Sequence, residues 1–214
     1  MQLNHLAIKY NTDKSSLFHN YAEIYDLFFR NLKNQTVNLL EIGVALGNSL
    51  RMWKEYFTNQ NIFGIDINPE CKKFEEDRIK IYIGKQKDKS FLKRVIDDIK
   101  KIDIIIDDGS HIIDHQIKSF TVLFPELKEN GFYLIEDLHS SYSPNPVFRN
   151  KNYTTIDFLK DRINDIQFNG KNVHDLWHGY KKNHYRKKHM VKPIKRNSCF
   201  GEIPLLFLLV FIIK

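Results

Sequence analysis

Short apolar runs alternate with amphipathic stretches along most of this chain, and their spacing predicts a parallel sheet flanked by helices. Val37-Asn-Leu-Leu-Glu-Ile-Gly43 reads as a buried strand that ends in a glycine turn. Ser49–Tyr56 is helical, with Leu50, Trp53, Tyr56 and Phe57 on one face. A second strand runs over Asn61–Asp66 and stops at Asn68-Pro69, and a helix follows around Glu70–Asp77. Lys80–Gly84 is a third strand, and Ser90–Lys100 carries an apolar stripe of Phe91, Leu92, Val95, Ile96 and Ile99. The near-continuous apolar run Ile102–Asp107 suits a central parallel strand. A helix from about Ile112 to Leu127 leads through an Asn130-Gly131 turn into a fifth strand, Phe132–Glu136, and Thr154–Ile166 is a further helix. The expected fold is α/β, a Rossmann-like, doubly wound, mostly parallel sheet with an N-terminal helical cap over residues 1–35. One domain is expected over 1–180, followed by a basic segment and an apolar tail over 181–214.

Composition bears this out as ordinary globular protein: 214 residues, 42% hydrophobic and 28% charged. Charge changes the picture more. The formal net charge is +7, yet eight Lys/Arg and no acidic residue fall between Lys181 and Arg196. The remaining 25 basic and 26 acidic residues nearly cancel. A neutral body with one basic stretch lacks the broad electropositive face of a nucleic-acid binder, so no nucleic-acid partner is expected. Cys71 and Cys199 form no disulfide framework or zinc site by themselves, which points to a reducing compartment. With no secretory pattern at Met1-Gln-Leu-Asn-His-Leu, the expected location is cytoplasmic. The run Ile203–Ile213 is apolar throughout but shorter than the ~20 residues of a spanning helix. A late sheet strand over Leu205–Ile213 is the favoured reading, ahead of an end that replaced native strands or contact with an anionic membrane surface.

Candidate chemistry collects where such sheets bind ligands, at the carboxyl ends of the strands. Strand one ends in Glu41-x-Gly43-x-x-x-Gly47, strand two in Asp66, strand four in Asp107-Asp108-Gly109-Ser110-His111 and strand five in Glu136-Asp137. Gly43 is followed by Val44-Ala45, so the glycines that let a backbone approach a pyrophosphate are missing and a nicotinamide cofactor is disfavoured. Glu41 would repel phosphate and pair with an ammonium, and Asp66 is placed to accept from a ribose diol. A ribose with a cationic amine and no phosphate describes S-adenosylmethionine; a tight strand-to-helix turn with a stray acid is the bland alternative. Asp108, Glu136 and Asp137 would repel one another unless a cation neutralised them, and an all-oxygen set favours Mg²⁺ or another hard divalent ion. His111, with an ordinary pKa near ~6.5, is a candidate general base for a hydroxyl beside that ion. The competing reading is a helix cap at Asp107/Ser110 and a polar loop at Glu136-Asp137. No P-loop sequence and no Gly-x-Ser-x-Gly elbow occurs.

Leu40-Glu-Ile-Gly43, Ser49-Leu-Arg-Met-Trp-Lys54, Gly64-Ile-Asp-Ile67, Ile106-Asp-Asp-Gly-Ser-His111 and Ile135-Glu-Asp-Leu138 together resemble the class I S-adenosylmethionine-dependent methyltransferases. More narrowly, they resemble the metal-dependent sugar O-methyltransferases of the mycinamicin and macrocin type, over roughly Lys9 to Lys160. The resemblance implies that Asp108, Glu136 and Asp137 bind Mg²⁺ and that His111 takes the acceptor proton. It also implies that Glu41, Ser49, Asp66, Gln86 and Asp107 line the cofactor, beside the loop of Gly43 and Gly47. Asn11-Thr12-Asp13-Lys14 is similar to the family's N-terminal Gly-Thr-Asp-Lys element near the site, with Asn11 in place of the glycine, and Lys85 stands where relatives carry an acidic residue before Gln86. The implied activity is methyl transfer to a hydroxyl of a sugar or a glycosylated small molecule; a bacterial surface polysaccharide is a further candidate acceptor that the resemblance does not supply. A homo-oligomer is compatible with the sequence. Two other readings stay open, an inactive or accessory cofactor-binding protein with an altered C-terminus and a Rossmann-type hydroxylase or oxidoreductase relative.

Overall fold

The computed structural model describes residues 2–148, 153–168 and 210–213. The chain divides into two compact units, Met1–Thr155 with Phe207–Lys214, and Ile156–Leu206. The expected division at residue 180 and the basic segment lie outside the described residues. In the first unit α1 (Gln2–Lys9) and α2 (Tyr21–Phe29) precede β1 (Asn38–Ile42), α3 (Asn48–Tyr56), β2 (Asn61–Asp66) and β3 (Ile79–Ile83). Then come α4 (Lys89–Ile99), β4 (Ile102–Asp107), α5 (Ile113–Leu123), β5 (Leu127–Ile135) and, after the second unit, β6 (Val210–Ile213). The second unit is described by α6, Thr155–Phe168, which begins at the last residue of the first.

Strand order is β3-β2-β1-β4-β5-β6. Neighbours among the first five are parallel, and β6 pairs antiparallel with β5 through Phe132↔Ile213 to Ile135↔Val210. The late-strand expectation therefore matches four residues, and 205–209 lie outside the described residues. Period-two alternation sorts the strand side chains. Leu39, Ile62, Ile104, Ile106 and Leu134 join the buried cluster of α1–α3, whose large members are Tyr25, Phe29 and Trp53. On β5, Tyr133 instead meets Phe120 of α5, with ring centroids 4.9 Å apart.

Two elements depart from expectation. The helix expected around Glu70–Asp77 is a single short 3-10 segment, Pro69–Phe74, because Asn68 caps Glu70 and Pro69 sets the first turn, while Glu75 is already extended. The helix expected to reach Leu127 ends at Leu123 and gives way to Phe124–Glu126 in 3-10 form, where Pro125 cannot donate to the helix ladder. Asn130-Gly131 then sits inside β5 rather than before it. Leu127 pairs with Ile102 and Phe132 with Ile104, so the intervening residues bulge out, with Asn130 left-handed at φ 62°.

Candidate functional site

Strand order reverses between β1 and β4, which makes their carboxyl ends the switch point of the sheet. The two loops touch there. Gly43 has φ 99°, and a Cβ on it would lie 2.0 Å from the Asp108 carbonyl oxygen, so only glycine fits. Asp66, at the end of β2, shapes the same loop: its Oδ2 accepts from the backbone N–H of Val44 (2.9 Å) and Ala45 (3.1 Å), and its Oδ1 from Asn68 (2.8 Å). Burial pushes its pKa up, but these backbone donors outweigh burial and hold it below the ordinary carboxylate value.

A cavity of about 650 Å³ opens over these strand ends, within the range of small-molecule sites. Of the residues singled out in the sequence, Gly43, Ser49, Asp66, Gln86, Asp108 and His111 line it. Glu41, Gly47, Asp107, Glu136 and Asp137 do not. Gly47 turns the chain into α3 at φ 72° with Phe74 packed against it. Asp107 is fully buried and serves as a frame: Gln86 Nε2 donates to its Oδ1 (2.9 Å) and Ser119 Oγ to its Oδ2 (2.5 Å). Gln86 Oε1 in turn accepts from the Ser110 backbone N–H (2.9 Å). Burial pushes the Asp107 carboxyl up to about 6, against both side-chain donors.

Beside the cavity three carboxylates gather around one ammonium. Lys14, buried, places Nζ 2.5 Å from Asp108 Oδ2, 3.0 Å from Glu136 Oε1 and 3.5 Å from Glu41 Oε1. Burial alone would lower the Lys14 pKa, but Asp108, Glu136 and Glu41 outweigh it and hold the pKa well above the ordinary value. Glu136 also accepts from the Tyr25 hydroxyl; burial and then the Asp108 charge push Glu136 well up. Burial likewise raises Asp108, with Lys14 opposing. Glu41 receives a hydrogen bond from Trp53 Nε1 at 3.0 Å, and burial pushes it up to about 7. Burial is the first cause of each rise, Lys14 opposes it, and the Asp108 charge adds to it at Glu136 and Glu41.

A further carboxylate, Asp137, accepts from the Tyr21 hydroxyl at 3.0 Å. His111 Nε2 stands 3.7 Å from Asp137 Oδ2. Asp108, His111 and Asp137 each offer a ligand atom within 4.8 Å of the others, the hard oxygen and imidazole donors that suit a divalent cation. The structure thus brings Asp108, His111 and Asp137 together directly, and joins Glu136 to them through Lys14. Sequence reasoning passed over Tyr21, Tyr25 and Trp53 as members of this cluster, and the resemblance put Lys14 only near the site, without a role. A signal existed: Tyr21 and Tyr25 are four apart on one face of α2, so both hydroxyls point the same way.

No family model matches the chain. A tetracenomycin-C rhamnosyl 3'-O-methyltransferase from Streptomyces olivaceus is 38% identical over 177 residues, 78% of this chain and 45% of the relative. The mycinamicin VI 2''-O-methyltransferase of Micromonospora griseorubida is 41% identical over 149 residues, 66% of this chain and 37% of the relative. Among solved structures, the MycE methyltransferase of the mycinamicin pathway, in complex with Mg, SAH and mycinamicin VI, superposes with TM-score 0.70 at 38% identity. That match covers 77% of this chain and 48% of the other. The chain is therefore similar in sequence and fold to sugar O-methyltransferases and carries the Rossmann-like class I methyltransferase fold, while spanning less than half the length of these relatives. Among the described residues no helix is long and apolar enough to cross a membrane.

Proposed function

We propose that this chain, a homologue of sugar O-methyltransferases over most of its length, transfers a methyl group from S-adenosylmethionine to a hydroxyl of a glycosylated small molecule with the help of a divalent cation. The observation that carries the reading is the adjacency of the switch-point cavity to the Asp108–His111–Asp137 cluster. The cavity wall from Asp66 and Gln86 to Asp108 accommodates a nucleoside-sized ligand, and the missing phosphate-binding glycines favour a cofactor without a pyrophosphate. When bound, the sulfonium cofactor supplies the methyl group and Mg²⁺ supplies positive charge that makes a nearby hydroxyl more acidic.

The donor set fits such a cation, since the Asp108 and Asp137 carboxylates converge beside His111 and a single buried ammonium faces Asp108, Glu136 and Glu41. Asp108 and Asp137 would hold the ion, with Glu136 as a third carboxylate. His111 Nε2 takes the hydroxyl proton, and the Asp137 carboxylate 3.7 Å away stabilises the resulting imidazolium. Holding hydroxyl and methyl in line on one wall supplies much of the rate. Titration calorimetry tests the cofactor half of the reading: the chain should bind S-adenosylmethionine and S-adenosylhomocysteine, and binding of NAD in their place would favour an oxidoreductase.

A further inference from the structure

Lys14 holds oxygens of two of the three carboxylates assigned above to the cation, Asp108 and Glu136. Its backbone is pinned, because the Ala22 N–H donates to its carbonyl at 2.8 Å, and its ammonium is buried against Asp108 Oδ2 and Glu136 Oε1 at 2.5 and 3.0 Å. A Mg²⁺-sized ion takes carboxylate oxygens at about 2.0–2.1 Å, and two cations cannot share those oxygens at such distances without strong repulsion in a buried site. A second acceptor stands next to the ammonium. Glu41 Oε1 is buried, lies 3.5 Å from Lys14 Nζ and has no hydrogen-bond partner among the described residues. We infer that Lys14 and the divalent cation compete for Asp108 and Glu136, and that an entering ion shifts the ammonium onto Glu41. Loading the cluster is then coupled to the Asn11–Lys14 segment, which also lines the cavity.

This inference rests on the cation reading above, and metal affinity separates the two. Manganese binding is measured by calorimetry on the full chain, without substrate or cofactor. Lys14→Met removes the competitor and should tighten Mn²⁺ binding about tenfold or more. Glu41→Gln removes the negative landing place while keeping the shape, and should weaken Mn²⁺ binding with no loss of thermal stability. If Lys14→Met does not fold, Glu41→Gln decides alone. Equal or weaker Mn²⁺ binding by folded Lys14→Met, or unchanged binding by Glu41→Gln, overturns the exchange and leaves the cation reading standing. Binding to neither wild type nor variants overturns both, whereas binding by Lys14→Met alone supports the exchange.

Discussion

His111 Nε2 lies 3.7 Å from Asp137 Oδ2, and both residues hold a left-handed backbone at φ 55°. Non-glycine residues in that region cost about 1–3 kcal/mol each and persist where their surroundings impose the geometry. His111 sits just before α5, and Asp137 follows β5. The left-handed turn at each aims a polar side chain across the gap instead of along the next element. His111 lines the cavity, and a strained residue there is a feature a proton-accepting site would retain at the expense of stability.

His111→Ala should lower kcat for methyl transfer by on the order of 10²–10⁴ while leaving cofactor affinity nearly unchanged. Steady-state kinetics beside calorimetry reads both quantities. A variant that retains wild-type kcat would remove the imidazole from the chemistry.

Gly43→Ala should damage the fold as well as the site. Its Cβ would meet the Asp108 carbonyl oxygen at 2.0 Å, in a backbone with φ 99°. The β1 and β4 loops must separate to relieve that contact, and a loss of roughly 2–4 kcal/mol is expected. Denaturant unfolding measures the loss, and loss of cofactor binding should accompany it.

The buried Asp107 predicts a pH dependence of stability. Its folded pKa is about 6 against an ordinary 3.8, so between those values the folded chain binds a proton that the unfolded chain has released. Stability from this group is thus highest below about pH 4 and falls as pH rises toward 6, by at most roughly 3 kcal/mol. Asp107→Asn should flatten that window. Its stability relative to wild type, from melts at pH 4 and pH 6.5, should increase with pH, and a constant difference would contradict the assignment.

Tyr25→Phe removes a buried hydroxyl that donates to Glu136. Leaving a buried group without its hydrogen bond costs about 1–3 kcal/mol, so the melting temperature should drop measurably. Mn²⁺ binding should survive, because Tyr25 supports the cluster without belonging to the Asp108–His111–Asp137 donors.

Strands were legible because each is a short apolar run closed by a turn residue, as at Ile102–Asp107, which matches the observed β4. Boundaries failed where local chemistry overrode periodicity, as at Pro69, Pro125 and the bulge around Asn130. The acidic strand ends were legible because carboxylates stand out at the ends of otherwise apolar runs. The sequence could not show that Glu41 and Asp107 face inward, to Trp53 and Lys14 in one case and Gln86 and Ser119 in the other. Nor could it place Lys14 among the carboxylates, because that contact joins residues 94 and 122 positions apart. The late strand was legible as composition, and its antiparallel pairing with β5 came only from the structure.

The central claim is metal-dependent methyl transfer to a sugar hydroxyl, and the most direct test uses S-adenosylmethionine labelled in its methyl group. Label incorporation is followed on a panel of rhamnosyl and macrolide glycosides, in excess chelator and after addition of Mg²⁺. The account predicts a labelled O-methyl ether on one sugar hydroxyl with Mg²⁺, lost in chelator and recovered when the ion is restored. A full rate of transfer in chelator, or label that appears on no glycoside although the cofactor binds, would contradict it.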